Sequence, residues 1–453
     1  MHEVASATSK SLRRSPFAIS NGLRAKAHAL IPGGCHTYAK GDDQYPILSP
    51  GFIAHGAGCR VTDVDGNEFI EYGMGNRAVG LGHAFPEVVQ AVTLELVHGC
   101  NFTRPSVVEI EAAECFLDCI PGAEMVKFCK DGSDATSGAI KLARSFTGRD
   151  LVAICTDHPF FSVDDWFIGS TAMNAGIPEA IKQLTVGFRY NDIASVEALF
   201  TAHPNRIACV ILEASRVDEP QDDFLKKLQA LAHSHGSLFI IDEMITGFRW
   251  SVGGAQSVYG ITPDLSTFGK ALANGFSVSA LAGKREFMKL GGLTHTDHPR
   301  VFLLSTTHGA ETHALRAAIA TMRIYKSRPV IQHLHRQGVR LKAEGNALAR
   351  KHGVADYFQI VGRPSCLIYS TADRDGKPSQ VFRTLLLQEM IVRGVLMPSL
   401  VVSYAHDDAA IDATLEALDG ALAVYAQALN GDAAKYLFGR PSQSVYRAFN
   451  SRG

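Results

Sequence analysis

Short apolar segments alternate with amphipathic ones through the middle of the chain. Asp134–Phe146 repeats its apolar residues at helical spacing and is followed by Gly148, which suits a left-handed helix cap. Phe224–His233 predicts a second helix. Strands that are apolar on both faces and separated by helices are typical of a covered parallel sheet, so the pattern predicts an α/β fold. The predicted strands are Val126–Cys129, Leu151–Ile154, Ile207–Leu212 and Ser237–Ile241.

Different patterns on either side of this region set the predicted domain organisation. Val61–Ile70 predicts a hairpin in which Asp65 and Gly66 form a type I′ turn. Ala409–Leu429 predicts one long helix near the other end of the chain. The predicted parts are 1–95, an N-terminal arm and part of a smaller α+β domain; 96–325, a large domain; 326–430, the rest of the smaller domain; and 431–453, an extension for which the sequence indicates no role.

The composition argues against several classes of function. With 453 residues, 46% hydrophobic and 20% charged, the chain is long enough for about two to three domains. A formal net charge of −1 gives no electrostatic reason to expect nucleic acid or an anionic membrane as a partner. No segment reaches the roughly 18 apolar residues of a membrane span. Met1–Ser20 is polar, and we expect a tail that is disordered or contacts a partner.

The cysteines indicate a reducing environment. There are nine of them, an odd number without a CxxC pair, so we expect a cytoplasmic protein. Cys115 and Cys119 are four residues apart, on one face of a predicted helix. Two small core residues explain this spacing better than a pair of metal ligands.

Two ionisable residues follow predicted strands. Asp242 ends an apolar strand, and strand ends of this kind face the ligand crevice of an open α/β sheet. A carboxylate buried there needs a cation or a strong donor, although a helix cap or a structural ion pair would also explain it. Lys270 ends the run Pro263–Lys270, a strand-to-loop setting in which an amine in apolar surroundings can lose its proton and attack an aldehyde. Taken alone, Lys270 is far better explained as a surface lysine.

Two further segments are candidates for phosphate binding. Gly132 and Ser133 lie between a predicted strand and a predicted helix, where backbone N–H groups and a hydroxyl can bind phosphate. An ordinary capped helix explains the same residues. Ser305–Ala310 carries a run of hydroxyl groups ahead of a helical pattern, and it could bind phosphate or form a plain loop.

These features occur together in an order that resembles the fold-type I, class III aminotransferases, and among them the glutamate-1-semialdehyde aminomutases. The resemblance covers residues 30–425, and the stretch Asp242–Arg249 followed by Lys270 is its most specific part. The resemblance implies an enzyme that uses pyridoxal 5′-phosphate (PLP). The other motifs are Ile31–Gly34, Asp63–Asn67, Gly80–His83 with Pro86, Gly132–Ala135, Pro263–Asp264 and Ala405–His406.

The resemblance also implies a role for each matching residue. Lys270 would hold PLP as a Schiff base and move a proton during the reaction, and Asp242 would bind the pyridine nitrogen and keep it protonated. A protonated ring is the better electron sink. Gly132 and Ser133 would hold the phosphate group. Thr307 would reach the phosphate of a neighbouring subunit, which implies a homodimer.

Two positions next to the cofactor differ from the family. Met244 stands where the family has Val or Ile against one face of the ring. On the other face the family has an aromatic residue of a Tyr-His-Gly motif, whereas the chain has Phe160-Phe161-Ser162. Phe160 aligns with the tyrosine better than Phe161 does, and a phenyl ring can still stack on the cofactor.

The substrate-binding residues of the aminomutase are not reproduced. Lys40 stands where the aminomutase has an arginine for the substrate carboxylate, and a lysine cannot make the same planar two-point contact. The acidic residue expected before Ala405-His406 is missing, and Glu213–Pro220 replaces a Glu-Pro-Val-Gly loop. We therefore expect an aminotransferase with another substrate, with glutamate as donor and a keto-sugar or sugar-derived ketone as acceptor. The polar residues that would suit a polyol are Tyr38, His36 and His308.

Three alternatives remain open from the sequence. The first is the aminomutase itself, or a racemase or epimerase, which would keep Lys270 and Asp242. The second is a non-catalytic scaffold with the same fold. The third, a metal hydrolase using His233 with His235 or His333 with His335, is weak because residues two apart on a helix point to different faces.

Overall fold

The computed structural model describes residues 16–449. The first 15 residues of the predicted polar tail lie outside this range, as do the last four of the C-terminal extension. The tail prediction does not hold for its last residues, because a helix begins at Ala18 and Ser20 is fully buried.

The strands are β1 (Ile53–Ala57), β2 (Arg60–Asp63), β3 (Glu68–Glu71), β4 (Met125–Cys129), β5 (Leu151–Cys155), β6 (Thr185–Phe188), β7 (Ile207–Glu213), β8 (Leu238–Asp242), β9 (Leu265–Phe268), β10 (Ser279–Gly283), β11 (Phe358–Val361), β12 (Ile368–Thr371) and β13 (Val395–Leu396).

Three helices were predicted from the sequence, and all three form: α4 (Gly132–Thr147), α8 (Phe224–Ser234) and α14 (Asp408–Leu429). The helices are α1 (Ala18–Leu30), α2 (Pro86–Leu96), α3 (Val107–Leu117), α4 (Gly132–Thr147), α5 (Asp165–Ile168), α6 (Glu179–Lys182), α7 (Ile193–Ala202), α8 (Phe224–Ser234), α9 (Gly254–Tyr259), α10 (Arg285–Met288), α11 (Thr312–Ser327), α12 (Val330–Lys351), α13 (Gln380–Val392) and α14 (Asp408–Leu429).

A seven-stranded sheet is the centre of one part of the molecule. Its strand order is β4-β10-β9-β8-β7-β5-β6, and only β10 runs antiparallel to its neighbours. The strands β5, β7 and β8 are buried along their whole length, as expected when helices cover both faces of a sheet. The predicted α/β fold with a mostly parallel sheet is confirmed. Because β7 and β8 are parallel and paired in register, Glu213 lies opposite Asp242 at their carboxyl ends.

Helix α4 connects this sheet to the turn that precedes it. Its buried residues recur at helical spacing and include Ala135, Ala139 and Leu142. Asp131 caps the first turn by accepting a hydrogen bond from Asp134 N. Gly148 ends the helix at φ 67°, the left-handed conformation predicted for it. The amino end of α4 is therefore fixed beside the carboxyl ends of the central strands.

The Val61–Ile70 hairpin forms, but its predicted turn type is wrong. A type I′ turn needs positive φ at both central residues, and among Asp65 and Gly66 only Gly66 has it, at 88°. The carboxylate of Asp63 explains the difference, because Oδ1 accepts hydrogen bonds from the backbone N–H groups of Asp65 and Asn67. These side-chain contacts replace the backbone pattern of the two-residue turn.

The chain divides into two compact units. Among the described residues, one comprises 16–76, 82–84 and 334–445; the other comprises 77–81, 85–333 and 446–449. The first unit contains the sheet β1-β2-β3-β13 and the pair β11-β12, and the second contains the seven-stranded sheet. The domain boundaries drawn from the sequence stay a prediction.

Part of the C-terminal extension packs within the first unit. Ser442 is buried, and its backbone N–H donates to Thr384 Oγ1 at 2.7 Å. Arg440 Nη2 donates to the carbonyl of Asp42 at 2.8 Å, and Gln443 N donates to the carbonyl of Asp43 at 2.9 Å. The extension therefore fastens helix α13 and the segment around Asp42 by hydrogen bonds.

Two glycines within helices test this packing. A Cβ on Gly338 would overlap the carbonyl group of Pro364, whereas a Cβ on Gly22 would meet nothing within 4 Å. We expect Gly338→Ala to lower the free energy of unfolding by about 3 kcal/mol, since the overlap is with backbone. Gly22→Ala should raise it by about 0.5 kcal/mol, because alanine favours the helix. Chemical denaturation of both variants checks this, and equal effects would contradict it.

Candidate active site

Asp242 is buried at the carboxyl end of β8, with 2% of its surface exposed. Its Oδ1 accepts hydrogen bonds from Met244 N at 2.9 Å and from Thr267 Oγ1 at 3.0 Å. Within residues 16–449, Oδ2 accepts no hydrogen bond. Burial raises the pKa of Asp242, and the nearby Lys270 counteracts that rise. A buried carboxylate with one unused oxygen suits a ligand that brings its own N–H donor.

Lys270 follows the neighbouring strand. Thr267 lies opposite Asp242 in the parallel pairing of β8 and β9, and Lys270 begins a short 3₁₀ helix two residues beyond the end of β9. Its φ of 45° is unfavourable for a residue with a side chain, which is typical of functional positions. Burial lowers the pKa of Lys270, and the charge of Asp242 opposes this shift. The amine is thus closer to its neutral, nucleophilic form than an exposed lysine.

The turn before α4 provides backbone donors. A helix begins at Gly132 and extends for 16 residues, so the N–H groups of its first turn point out of the helix end. Ser133 is buried, and its Oγ accepts a hydrogen bond from Val163 N at 3.0 Å. Its hydroxyl proton can still be donated. This arrangement fits the predicted phosphate group.

Met244 links the turn at Gly132 to the lysine loop. A Cβ on Gly132 would lie 2.9 Å from Met244 Sδ, and a Cβ on Gly269 would lie 2.7 Å from the same atom. Both glycines are therefore needed for the close approach of the thioether. The structure brings together Gly132, Ser133, Asp242, Met244 and Lys270, all in the second unit.

The segment after β5 presents two phenylalanines differently. Phe161 is 2% exposed and packs edge-on against Phe167, with ring centroids 5.6 Å apart. Phe160 also packs edge-on against Phe167, at 5.7 Å, but 43% of its surface stays exposed. This difference supports Phe160 as the stacking residue, and that role stays a prediction.

Thr307 lies in an exposed loop beside a second exposed segment. Its carbonyl accepts a hydrogen bond from Asn101 Nδ2 at 3.1 Å. Apolar side chains near Asn101 in the sequence are unusually exposed: Phe102 at 52% and Val107 at 70%. A single chain leaves this surface uncovered.

Other charged residues of the site were not identified from the sequence. Glu213 is 3% exposed at the end of β7, and burial raises its pKa to about 7. His158 Nδ1 accepts a hydrogen bond from Glu213 N at 3.1 Å, and burial lowers the pKa of His158 to about 3. Glu213 ends a buried strand just as Asp242 does, and that signal could have located it. Arg77 has an unusual positive φ of 73°, and no pattern in the sequence predicts that conformation.

The arrangement has the parts that PLP requires. Asp242 can accept a hydrogen bond from a ring N–H, the first turn of α4 can bind a phosphate, and Lys270 is a buried amine whose pKa burial lowers. Among residues 16–449, no group of three or more His, Cys, Asp or Glu side chains is placed to hold a metal ion. No helix in the same range is long and apolar enough to cross a membrane.

This fold and site define a PLP-dependent enzyme of fold type I. A family model for class III aminotransferases matches residues 38–421, and the chain belongs to that family. A glutamate-1-semialdehyde 2,1-aminomutase of Persephonella marina is 34% identical over 390 residues, which cover 81% of this chain and 90% of the relative. One from Syntrophomonas wolfei is 32% identical and covers 88% and 96%.

Solved structures agree with this assignment. An omega-transaminase from Sphaerobacter thermophilus superposes with a TM-score of 0.82 at 26% identity, covering 92% of this chain and 99% of the other. The FumI protein of Sphingopyxis sp. MTA144, solved with PLP, gives the same TM-score at 27% identity and covers 91% and 97%. PLP is the cofactor of this enzyme, as the sequence predicted.

Replacing Lys270 tests its assignment. We expect Lys270→Ala to abolish covalent attachment, because no other amine lies beside Asp242 in the described site. Borohydride reduction followed by peptide mass spectrometry should place the cofactor on Lys270 in the natural protein and nowhere in the variant. Lys227→Ala, at an exposed position of α8, is the matched control and should retain the modification. A modified peptide without Lys270 would contradict the assignment.

His158 gives a prediction for pH. Its pKa is lower in the folded chain than the usual 6.5, so the unfolded chain binds the proton more readily below that value. His158 therefore stabilises the fold fully above pH about 6.5, and this contribution is lost progressively as the pH falls toward 3. We expect the pH slope of unfolding free energy between pH 4 and 6 to be shallower by about 1 kcal/mol per unit in His158→Gln. His335→Gln, at an exposed site, should leave the slope unchanged.

Proposed function

We propose that this enzyme is an aminotransferase that moves an amino group from glutamate to the ketone or aldehyde of a second molecule, a keto-sugar or sugar-derived ketone. The observation that carries the proposal is a complete set of cofactor residues combined with Lys40 in place of the arginine expected in the aminomutase. Lys40 is exposed in a short 3₁₀ turn, Tyr38–Lys40. An ammonium group binds a carboxylate without the planar geometry of a guanidinium.

The chain's own residues would divide the chemistry between them. Bound PLP supplies an aldehyde that reacts with amines and a ring that accepts electrons. Lys270 would hold the cofactor covalently and then, as a neutral amine, move a proton at the substrate's Cα. Asp242 would accept a hydrogen bond from the ring nitrogen and keep that nitrogen protonated. Gly132 and Ser133 would bind the phosphate and fix the ring's position.

We further propose that the active unit is a homodimer. Thr307 would donate to the phosphate bound by the partner subunit, and the exposed Phe102 and Val107 would be covered in the dimer. Their exposure in a single chain, 52% and 70%, supports such an interface. Phe160 would stack on the ring within each subunit.

A reducing compartment, the cytoplasm, fits the cysteines. All nine are unpaired in the structure. Six of them are buried, so their thiols serve as core residues.

The second candidate is the aminomutase reaction, in which the amino group stays with the product. Relatives named for this activity are 34% and 32% identical to the chain. A racemase or epimerase would use the same Lys270 and Asp242. These alternatives differ from amino transfer in whether glutamate leaves as its keto acid.

Product analysis distinguishes these reactions. An aminotransferase incubated with glutamate alone should release one 2-oxoglutarate per active site, with loss of the yellow absorbance of the lysine-bound cofactor. Lys270→Ala should release none. Rapid conversion of glutamate-1-semialdehyde into 5-aminolevulinate by the natural enzyme would overturn the proposal in favour of the aminomutase.

A further inference from the structure

Arg216 is held beside the cofactor-binding residues by a buried carboxylate. Its Nε lies 3.6 Å from Glu213 Oε2, close enough for an ionic contact but too far for a hydrogen bond. Glu213 Oε2 is buried and has no hydrogen-bond partner in the described part of the chain. The Arg216 side chain is 24% exposed, so part of its guanidinium is accessible. Glu213 lies opposite Asp242 in the sheet, which places this guanidinium at the same sheet edge.

The loop that carries Arg216 is rigidly fastened. The Tyr190 hydroxyl donates to the carbonyl of Ala214 at 2.6 Å. Ser215 Oγ accepts hydrogen bonds from Trp250 Nε1 and from the Tyr259 hydroxyl, both at 3.0 Å. Because the two residues before Arg216 are fixed by buried or partly buried aromatic side chains, binding a ligand here would cost little loop ordering.

Arg77 is a second cation in the neighbourhood of Glu213 and Lys270. Its φ is 73°, and the three residues before it also have positive φ, a conformation that disfavours residues with side chains. Arg249 Nη2 donates to the carbonyl of Arg77 at 2.6 Å and stabilises this backbone. In the described chain the Arg77 guanidinium makes no hydrogen bond or ion pair. Its charge nevertheless acts on Glu213 and on Lys270, so the guanidinium lies in their neighbourhood.

The charges at this position are not balanced. The guanidinium groups of Arg77 and Arg216 lie near Glu213, whose pKa burial raises to about 7, whereas the charges of Asp242 and Lys270 oppose each other. Near neutral pH Glu213 is ionised in only part of the molecules. Asp242 faces the cofactor ring in the proposed reaction and is not available to the arginines. An anionic ligand would offset this excess of positive charge.

We propose that Arg77 and Arg216 bind a carboxylate of the amino-acid substrate beside Lys270. Each guanidinium can offer two parallel N–H donors to a carboxylate, which fixes the substrate's orientation as well as its charge. The inference rests on the proposed function, because it assigns the anionic group to an amino donor such as glutamate. It gives the chain an anion-binding pair on the large sheet, in residues distinct from Lys40.

Binding of glutarate to the PLP-loaded enzyme tests the proposal. Glutarate carries carboxylates but no amine, so it measures anion binding without reaction. We expect Arg216→Gln and Arg77→Gly each to raise the dissociation constant at least tenfold by titration calorimetry. Glycine suits a φ of 73°, so Arg77→Gly should fold at least as stably as the natural chain. Arg216→Lys, which keeps the charge but not the two-point contact, should fall between Arg216→Gln and the natural enzyme.

Controls separate this outcome from other failures. Arg189→Gln, at a side chain 73% exposed and paired with Asp192, should bind glutarate as the natural enzyme does. The visible absorbance of lysine-bound PLP should be retained in every variant. Unchanged glutarate affinity in both arginine variants, or no glutarate binding by the natural enzyme, would overturn the proposal. If the variants lose affinity while glutamate releases no 2-oxoglutarate, the anion site stands and the proposed amino transfer fails.

Discussion

The structure depends on holding a carboxylate and an amine out of water at the end of the same sheet. Burial favours the neutral forms of both Asp242 and Lys270, raising the pKa of the acid and lowering that of the amine. Each group opposes the shift of the other. Neither side chain could be kept there alone without a large desolvation cost. Their mutual attraction, together with the hydrogen bonds that Thr267 and Met244 donate to Asp242, makes the pair tolerable and leaves Lys270 reactive.

The parallel sheet is what brings these groups together. Residues far apart in the chain end neighbouring strands at one edge, so Glu213, Asp242 and Thr267 line up across β7, β8 and β9. Helix α4 adds its amino end at the same edge. Each strand contributes one or two polar residues where its apolar run stops. The lengths of the apolar runs thus determine where the polar site residues lie, because these residues are placed where the buried strands end.

Periodicity and motif order were sufficient for the parts of the molecule that obey local rules. The buried strands, the helix Gly132–Thr147 with its glycine cap, and the assignment of the family follow from short patterns in the sequence. The type I′ turn was wrong because the side chain of Asp63 competes for the backbone donors of the turn. Arg77 was not predicted as a site residue for a related reason. A positive φ at a residue other than glycine is imposed by the surrounding structure, so the spacing of residues along the sequence does not reveal it.

Substrate choice in this enzyme therefore depends on residues that the cofactor does not constrain. If Asp242, Lys270 and Ser133 hold PLP as proposed, they carry little information about the second reactant. Lys40, Phe160 and the loop from Glu213 to Pro220 differ from the family pattern, and the cofactor's chemistry tolerates those differences. Loss of one carboxylate-binding arginine near the N-terminus need not mean loss of anion recognition, since Arg216 offers a guanidinium on a loop that three aromatic side chains hold in place.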